Sequence, residues 1–90
     1  MIPEGTNQVD GAVRSVLADV LGLGADRVAA FTPDTPLFGA LPELDSMAVA
    51  GVLTELEDRL GIVIDDEDVD GDLLATLGSL AAYARAKALR

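Results

Sequence analysis

The group in this chain whose type and position point most directly to chemistry is a hydroxyl. Ser46 stands in the run Leu44-Asp45-Ser46-Met47, where a proline-bearing stretch gives way to helical periodicity. The sequence holds no histidine and no cysteine. Ser-His-Asp and Cys-His catalysis are therefore absent from the chain, as are zinc sites built on those ligands. No glycine-rich phosphate loop occurs, and among 16 acidic residues carboxylate pairs arise by chance. So few catalytic groups remain that the chain is not expected to be an enzyme. Ser46 then has two readings. Ser and Asp are common at helix starts as capping residues. Alternatively, the hydroxyl is a point of attachment: the first N–H groups of a helix are unpaired, and the positive dipole end favours a phosphate ester. Met47 favours attachment, because it falls on the outward helical face. A large apolar side chain has no core role there and marks a docking surface.

A second group of interest is Asp66-x-Asp68-x-Asp70-Gly71. It matches the first half of an EF-hand calcium loop, glycine included. The second half fails, because the ninth and twelfth positions are Leu74 and Leu77 and the twelfth should be a bidentate Glu. No specific metal site is expected, only weak divalent-cation binding that relieves self-repulsion. The alternative function for the chain is a small acidic interaction or calcium-binding module using Asp66, Asp68 and Asp70.

The elements that must position Ser46 are helical. Val9, Val13, Val16, Leu17, Val20 and Leu21 recur at helical spacing and predict a first helix over roughly 7–21. Thr6 is its expected N-cap, Gly22 its C′ residue and Leu23 the apolar contact after it. Asp10 and Arg14 form a favourable i,i+4 pair. A long connection over 22–44 follows, broken by Pro33, Pro36, Gly39 and Pro42. It carries Val28, Phe31, Leu37, Phe38, Leu41 and Leu44, too apolar for a loose linker. It should lie across the helices, with a helical turn near 25–30. The second main helix starts at Ser46 with Asp45 as N-cap and ends at Gly61. Val49, Val52, Leu53, Leu56 and Leu60 form its inward stripe. Met47, Ala50, Gly51, Thr54 and Asp58 fall outward. Mid-helix Gly51 costs about 1 kcal/mol against Ala, for the close approach of a partner or for no structural reason. A short helix fits 66–73. Thr76 caps a last helix with Leu77, Leu80, Ala81, Ala84 and Ala88 inward and Arg85, Lys87 and Arg90 at its C-terminal end. Only Ile62-Val63-Ile64 reads as a strand, too short for a sheet. The expected fold is all-α: a small four-helix bundle of three main helices and one short helix, with a long loop between the first two main helices. Residues 1–90 are read as one domain, frayed at about 1–5 and 87–90.

Composition bounds the rest. Ninety residues with a net charge of −10 make one small domain that repels nucleic acid and anionic membranes and attracts proteins with Lys/Arg patches. Half the residues are apolar, yet only three are aromatic, so the core must be aliphatic. The absence of cysteine fits a reducing compartment. No secretory signal or membrane-spanning run is read, and a cytoplasmic monomer without membrane insertion is expected.

Leu41-Pro42-Glu43-Leu44-Asp45-Ser46-Met47 resembles the acyl carrier protein family, which usually has Asp-Ser-Leu at this place. The resemblance extends through Val20-Leu21-Gly22-Leu23, Asp34-x-Pro36-Leu37, Glu55-Leu56-Glu57-x-x-Leu60-Gly61-Ile62, Ile64-Asp65-Asp66-Glu67-Asp68 and Thr76-Leu77-Gly78-Ser79-Leu80. It implies a 4′-phosphopantetheine arm on Ser46, installed from coenzyme A by a separate phosphopantetheinyl transferase. The arm would carry acyl groups as thioesters on a thiol the chain itself lacks. Asp45 would cap the helix and help orient the transferase's Mg²⁺. Met47, in place of the usual Leu, would contact partners. Glu55, Glu57 and Asp58 would face basic patches on acyl-loading and acyl-transferring enzymes, and Ile64 would line the region near the arm. Gly51 stands where fatty-acid-synthesis carriers often have an acidic residue. The Leu-Pro-Glu-Leu lead-in looks more like stand-alone carriers of specialised bacterial pathways. Peptidyl carriers generally show Gly-Gly-x-Ser, so acyl cargo is implied.

Overall fold

The helical periodicities of the sequence form three long helices and a short one. The computed structural model describes residues 4–89 of the chain. Its helices are α1 (Glu4–Leu21), α2 (Ala25–Ala29), α3 (Ser46–Leu60) and α4 (Leu77–Ala88), with a 3-10 turn at Asp66–Asp68. No strand occurs among the described residues; Pro36 and Thr76 share one isolated antiparallel bridge.

Helix α1 is the hub, packing against α2, α3 and α4. Its Val13, Val16 and Leu17 are fully buried, each side chain contributing roughly 1.5–3 kcal/mol by leaving water. Leu37, Val52, Leu56 and Leu80 complete the innermost layer. This core is aliphatic, as composition required: Phe31 and Tyr83 are only half-buried and Phe38 is exposed.

Helix ends follow local chemistry. Gly22 and Gly61 adopt positive φ of 69° and 63°, the left-handed conformation that ends α1 and α3 and that only glycine adopts without strain. Thr76 and Ser79 form a reciprocal capping box at the start of α4, each side chain bonding the other's backbone N–H at 3.1 Å. The loop before α3 is stitched to the segment leading into α4. Leu37 and Phe38 N–H donate to the Ala75 and Leu74 carbonyls at 3.0 and 2.9 Å, and Gly78 N–H donates to Pro33 at 2.8 Å.

Several expectations change. Helix α1 begins at Glu4, so Thr6 lies inside it rather than capping it. Of the ends expected to fray, Met1 to Pro3 and Arg90 lie outside the described residues. Glu4 and Gly5 are helical, as are Lys87 and Ala88. The Asp10–Arg14 pair is replaced by tertiary contacts. Arg14 donates to the Val28 carbonyl at 2.7 Å, and Asp10 accepts from Arg85 of α4 at 2.7 Å. The short helix expected over 66–73 shrinks to one 3-10 turn. Val69 is extended, and the Asp70 carboxylate takes the Leu73 N–H at 2.9 Å, a local bond that competes with helix. The short helix of the bundle is instead α2, in the loop where a helical turn was expected. Gly51 does not face outward. A Cβ there would lie 3.2 Å from Val20 Cγ1, so glycine lets α3 lie close to α1.

Candidate attachment site

Ser46 is the first residue of α3 and is exposed. Asp45 has extended backbone, and its Oδ1 accepts the Ala48 N–H at 2.8 Å, as the sequence predicted. The Asp45 carbonyl accepts the Val49 N–H at 2.9 Å. The N–H groups of Ser46 and Met47 precede the first intrahelical acceptor, as in any helix, and mark the positive end of the dipole. Asp45 thus holds the turn through Oδ1. No imidazole or thiol stands by to activate the serine.

Two grooves meet at Ser46. One, of about 240 Å³, runs under Phe38 and is walled by Val49, Val69, Asp70 and Leu74. The other, of about 450 Å³, follows α3 along Val49, Leu53 and Glu57 and faces Ile64 and Asp66. The first is lined mainly by apolar side chains with Asp70 among them, and the second mixes Val49, Leu53 and Ile64 with Thr54, Glu57 and Asp66. Ile64 is buried, and its N–H donates to Glu57 Oε2 at 2.9 Å, which fixes the far wall of the second groove.

The other expected residues are distributed as follows. Met47 is 86% exposed, and Asp58 is exposed. Glu55 pairs with Arg59 at 3.1 Å, and Arg59 also reaches Asp19 of α1 at 2.8 Å. Glu55 is therefore partly neutralised within the molecule, and Arg59, held first by the Asp19 bond, is more strongly basic than usual. Ser46, Glu57 and Ile64 share one groove, whereas Glu55 and Asp58 do not line it.

Among the described residues no group of three or more carboxylates is arranged to hold a metal ion. Asp68 accepts the Tyr83 hydroxyl at 2.7 Å, and Asp70 caps Leu73. The aspartates of the EF-hand-like run serve the loop, and the calcium-module alternative is not supported.

Sequence reasoning missed Phe38, Val69 and Leu74 as groove residues. A signal existed for Phe38. In the extended Leu37-Phe38 pair successive side chains point opposite ways, so burial of one exposes the other.

A small helical bundle thus displays exposed Ser46 at the capped start of α3. Residues 11–84 match the family described as a phosphopantetheine attachment site; the chain belongs to that family, and with it to the acyl carrier proteins. The solution structure of a holo acyl carrier protein from Nitrosomonas europaea is 42% identical, covering 87% of this chain and 92% of that one, with a TM-score of 0.78. Meromycolate extension acyl carrier proteins of Mycobacterium tuberculosis and Mycobacterium bovis are 26% identical over 82 residues, 91% of this chain. The chain spans 66% of the length of those curated relatives.

Proposed function

We propose that the chain is a non-catalytic acyl carrier, residues 1–90 acting as one domain, with a 4′-phosphopantetheine arm on Ser46 Oγ. The observation that carries this is the exposure of Ser46 as the first residue of α3, with Asp45 holding the turn behind it. The residues present fit the group. The helix N-terminus favours the phosphate, and the two grooves beside it are lined in part by apolar side chains. When bound, the group supplies a terminal thiol on which acyl groups are held as thioesters.

The chain's own residues position the attachment point. Attachment from coenzyme A would form a bond from Ser46 Oγ to the pantetheine-bearing phosphorus, break the P–O bond of the pyrophosphate bridge so that adenosine 3′,5′-bisphosphate leaves, and pass the hydroxyl proton to a base. We assign that base to a phosphopantetheinyl transferase, since the chain has no histidine and Asp45 Oδ1 is engaged by the Ala48 N–H. Asp66 and Asp70, which line the grooves, and Asp45, which precedes Ser46 in the chain, oppose an incoming anion, so a divalent cation accompanying coenzyme A favours the encounter, with Asp45 adjacent to orient it. Met47 contacts partner enzymes, whereas Ile64, buried in the groove wall, lines the region near the arm. Glu55, Glu57 and Asp58 meet basic patches on acyl-loading and acyl-transferring enzymes. Tethering raises the local concentration of cargo at each partner. No helix among the described residues is long and apolar enough to cross a membrane. A cytoplasmic monomer that avoids nucleic acid fits the net charge of −10.

Intact mass after incubation with coenzyme A, Mg²⁺ and a broad-range transferase tests the reading. One phosphopantetheine is gained by the native chain and none by Ser46→Ala. A native chain that gains nothing, or a Ser46→Ala chain that does, overturns it.

A further inference from the structure

One concavity lies apart from Ser46 and is lined by more positive than negative charge. It holds about 70 Å³ where α1, the loop and α4 meet, and shares no lining residue with either groove at Ser46. Two guanidinium groups, Arg14 and Arg85, line it with a single carboxylate, Asp10, in a chain of net charge −10. Asp10 is taken by Arg85 at 2.7 Å. Arg14 has no such partner: of the cations among the described residues, it alone forms no ion pair. It gives one N–H to the Val28 carbonyl at 2.7 Å, which leaves most of the five donors of a guanidinium unspent on the protein.

The walls are tied together. Arg85–Asp10 joins α4 to α1, and Gly78 N–H donates to the Pro33 carbonyl at 2.8 Å. Leu77 and Gly78 begin α4, so the positive end of that helix dipole adds to the two guanidinium groups. Leu77 and Ala81 are buried and apolar, and a wall of low polarity strengthens charge interactions beside it.

We propose that this pocket binds a small aliphatic carboxylate, held by Arg14 with Arg85 beside it and with its alkyl group against Leu77 and Ala81. Size and shape select the class. The volume of about 70 Å³ is several times the roughly 10–15 Å³ that one water needs. It admits a group of a few heavy atoms and excludes a nucleotide or a phospholipid headgroup. The planar guanidinium fork matches the two oxygens of a carboxylate. Asp10 opposes the anion, but Arg85 offsets its charge and leaves that of Arg14 uncompensated. The site stands apart from the carrier reading.

The test is a heteronuclear NMR titration of the full chain with sodium acetate at neutral pH, ionic strength being held constant with NaCl. Saturating shifts are expected at Arg14, Gly78 and Ala81 and none at Ser46, with a Kd of roughly 1–10 mM. Arg14→Lys keeps a donor for Val28 and loses the fork; it is expected to weaken binding about three- to tenfold. Asp10→Asn removes the opposing charge and is expected to tighten binding about three- to tenfold, a gain that a misfolded chain does not produce. Shifts that stay linear with acetate, or that chloride or phosphate reproduces, show only a general anion response and overturn the site. So does an affinity that neither variant moves. A capped glutamate that shifts these residues where acetate does not assigns the pocket to an acidic side chain on a partner protein and overturns the small-ligand assignment. Both variants should still gain one phosphopantetheine by intact mass, so failure of this site and failure of the carrier reading are told apart.

Discussion

At the scale of single residues, neighbours in sequence have separable jobs. Asp45 holds the first turn of α3 through its bond to the Ala48 N–H, whereas Ser46 is exposed and is the proposed point of attachment. Asp45→Ala is expected to cost about 1 kcal/mol, lowering the melting temperature by roughly 4–8 °C for a domain of this size. Ser46→Ala should stay within about 0.5 kcal/mol of the native chain. Thermal melts of the two variants side by side check this, and equal losses would mean that the cap is not what sets the turn. Tyr83 is a second residue with a readable signature. It is half-buried and donates to Asp68. Burial first, and the Asp68 carboxylate second, hold its hydroxyl above the ordinary value of 10.0. The folded state thus keeps its proton more tightly than the unfolded chain. The stability this supplies is intact below the unfolded value and is lost as pH rises through the folded one. Urea midpoints at about pH 9 and about pH 11 should fall less in Tyr83→Phe than in the native chain.

At the scale of elements, two glycines in helices separate propensity from packing. A Cβ on Gly78 would lie 2.8 Å from the Pro33 carbonyl oxygen, a backbone atom, at the junction where the loop is stitched to α4. A Cβ on Gly51 would meet only Val20 Cγ1, at 3.2 Å. Gly78→Ala is expected to destabilise by roughly 1–3 kcal/mol through overpacking. In Gly51→Ala the helix gains about 1 kcal/mol of propensity against a side chain that can shift, leaving a change near zero. Denaturant midpoints decide, and a larger loss at Gly51 would refute the packing argument. The same contrast explains what was legible in the sequence. Periodicity and capping chemistry are local, so α3, its Asp45 cap, Gly61 and the Thr76 start of α4 could be read directly. Ser46 came with them, because its position depends only on where that helix begins. Gly51 was misplaced because its neighbour Val20 lies on another helix. The Asp10–Arg14 pair failed for the same reason, each side chain finding a better partner far along the chain. The stretch 66–73 misled because the Asp70 side chain competes with the backbone for Leu73.

At the scale of the molecule, charge sets the environment in which the site works. Of six cationic residues, Arg27, Arg59, Arg85 and Lys87 form ion pairs that join separate segments. Arg27–Glu43 ties α2 to the loop before α3, and the pair, after backbone hydrogen bonding, lowers the Glu43 pKa. These pairs are at least partly exposed, and each contributes little alone. They leave a net charge of −10 spread over a small surface, and self-repulsion opposes the compact state. Added salt should therefore stabilise the fold, because screening weakens the repulsion among many like charges more than it weakens the few short pairs. The melting temperature is expected to rise between about 0.02 M and about 0.5 M NaCl. Ca²⁺ and Mg²⁺ should raise it similarly at matched ionic strength, since Asp68 and Asp70 are held by Tyr83 and Leu73 rather than gathered into a cage. Calorimetric titration with Ca²⁺ should then show only weak, unsaturated heats, unchanged by Asp66→Ala. A tight single-site isotherm lost in that variant would place a specific cation site in the 66–71 run and make the acidic loop, rather than the whole surface, the seat of cation stabilisation.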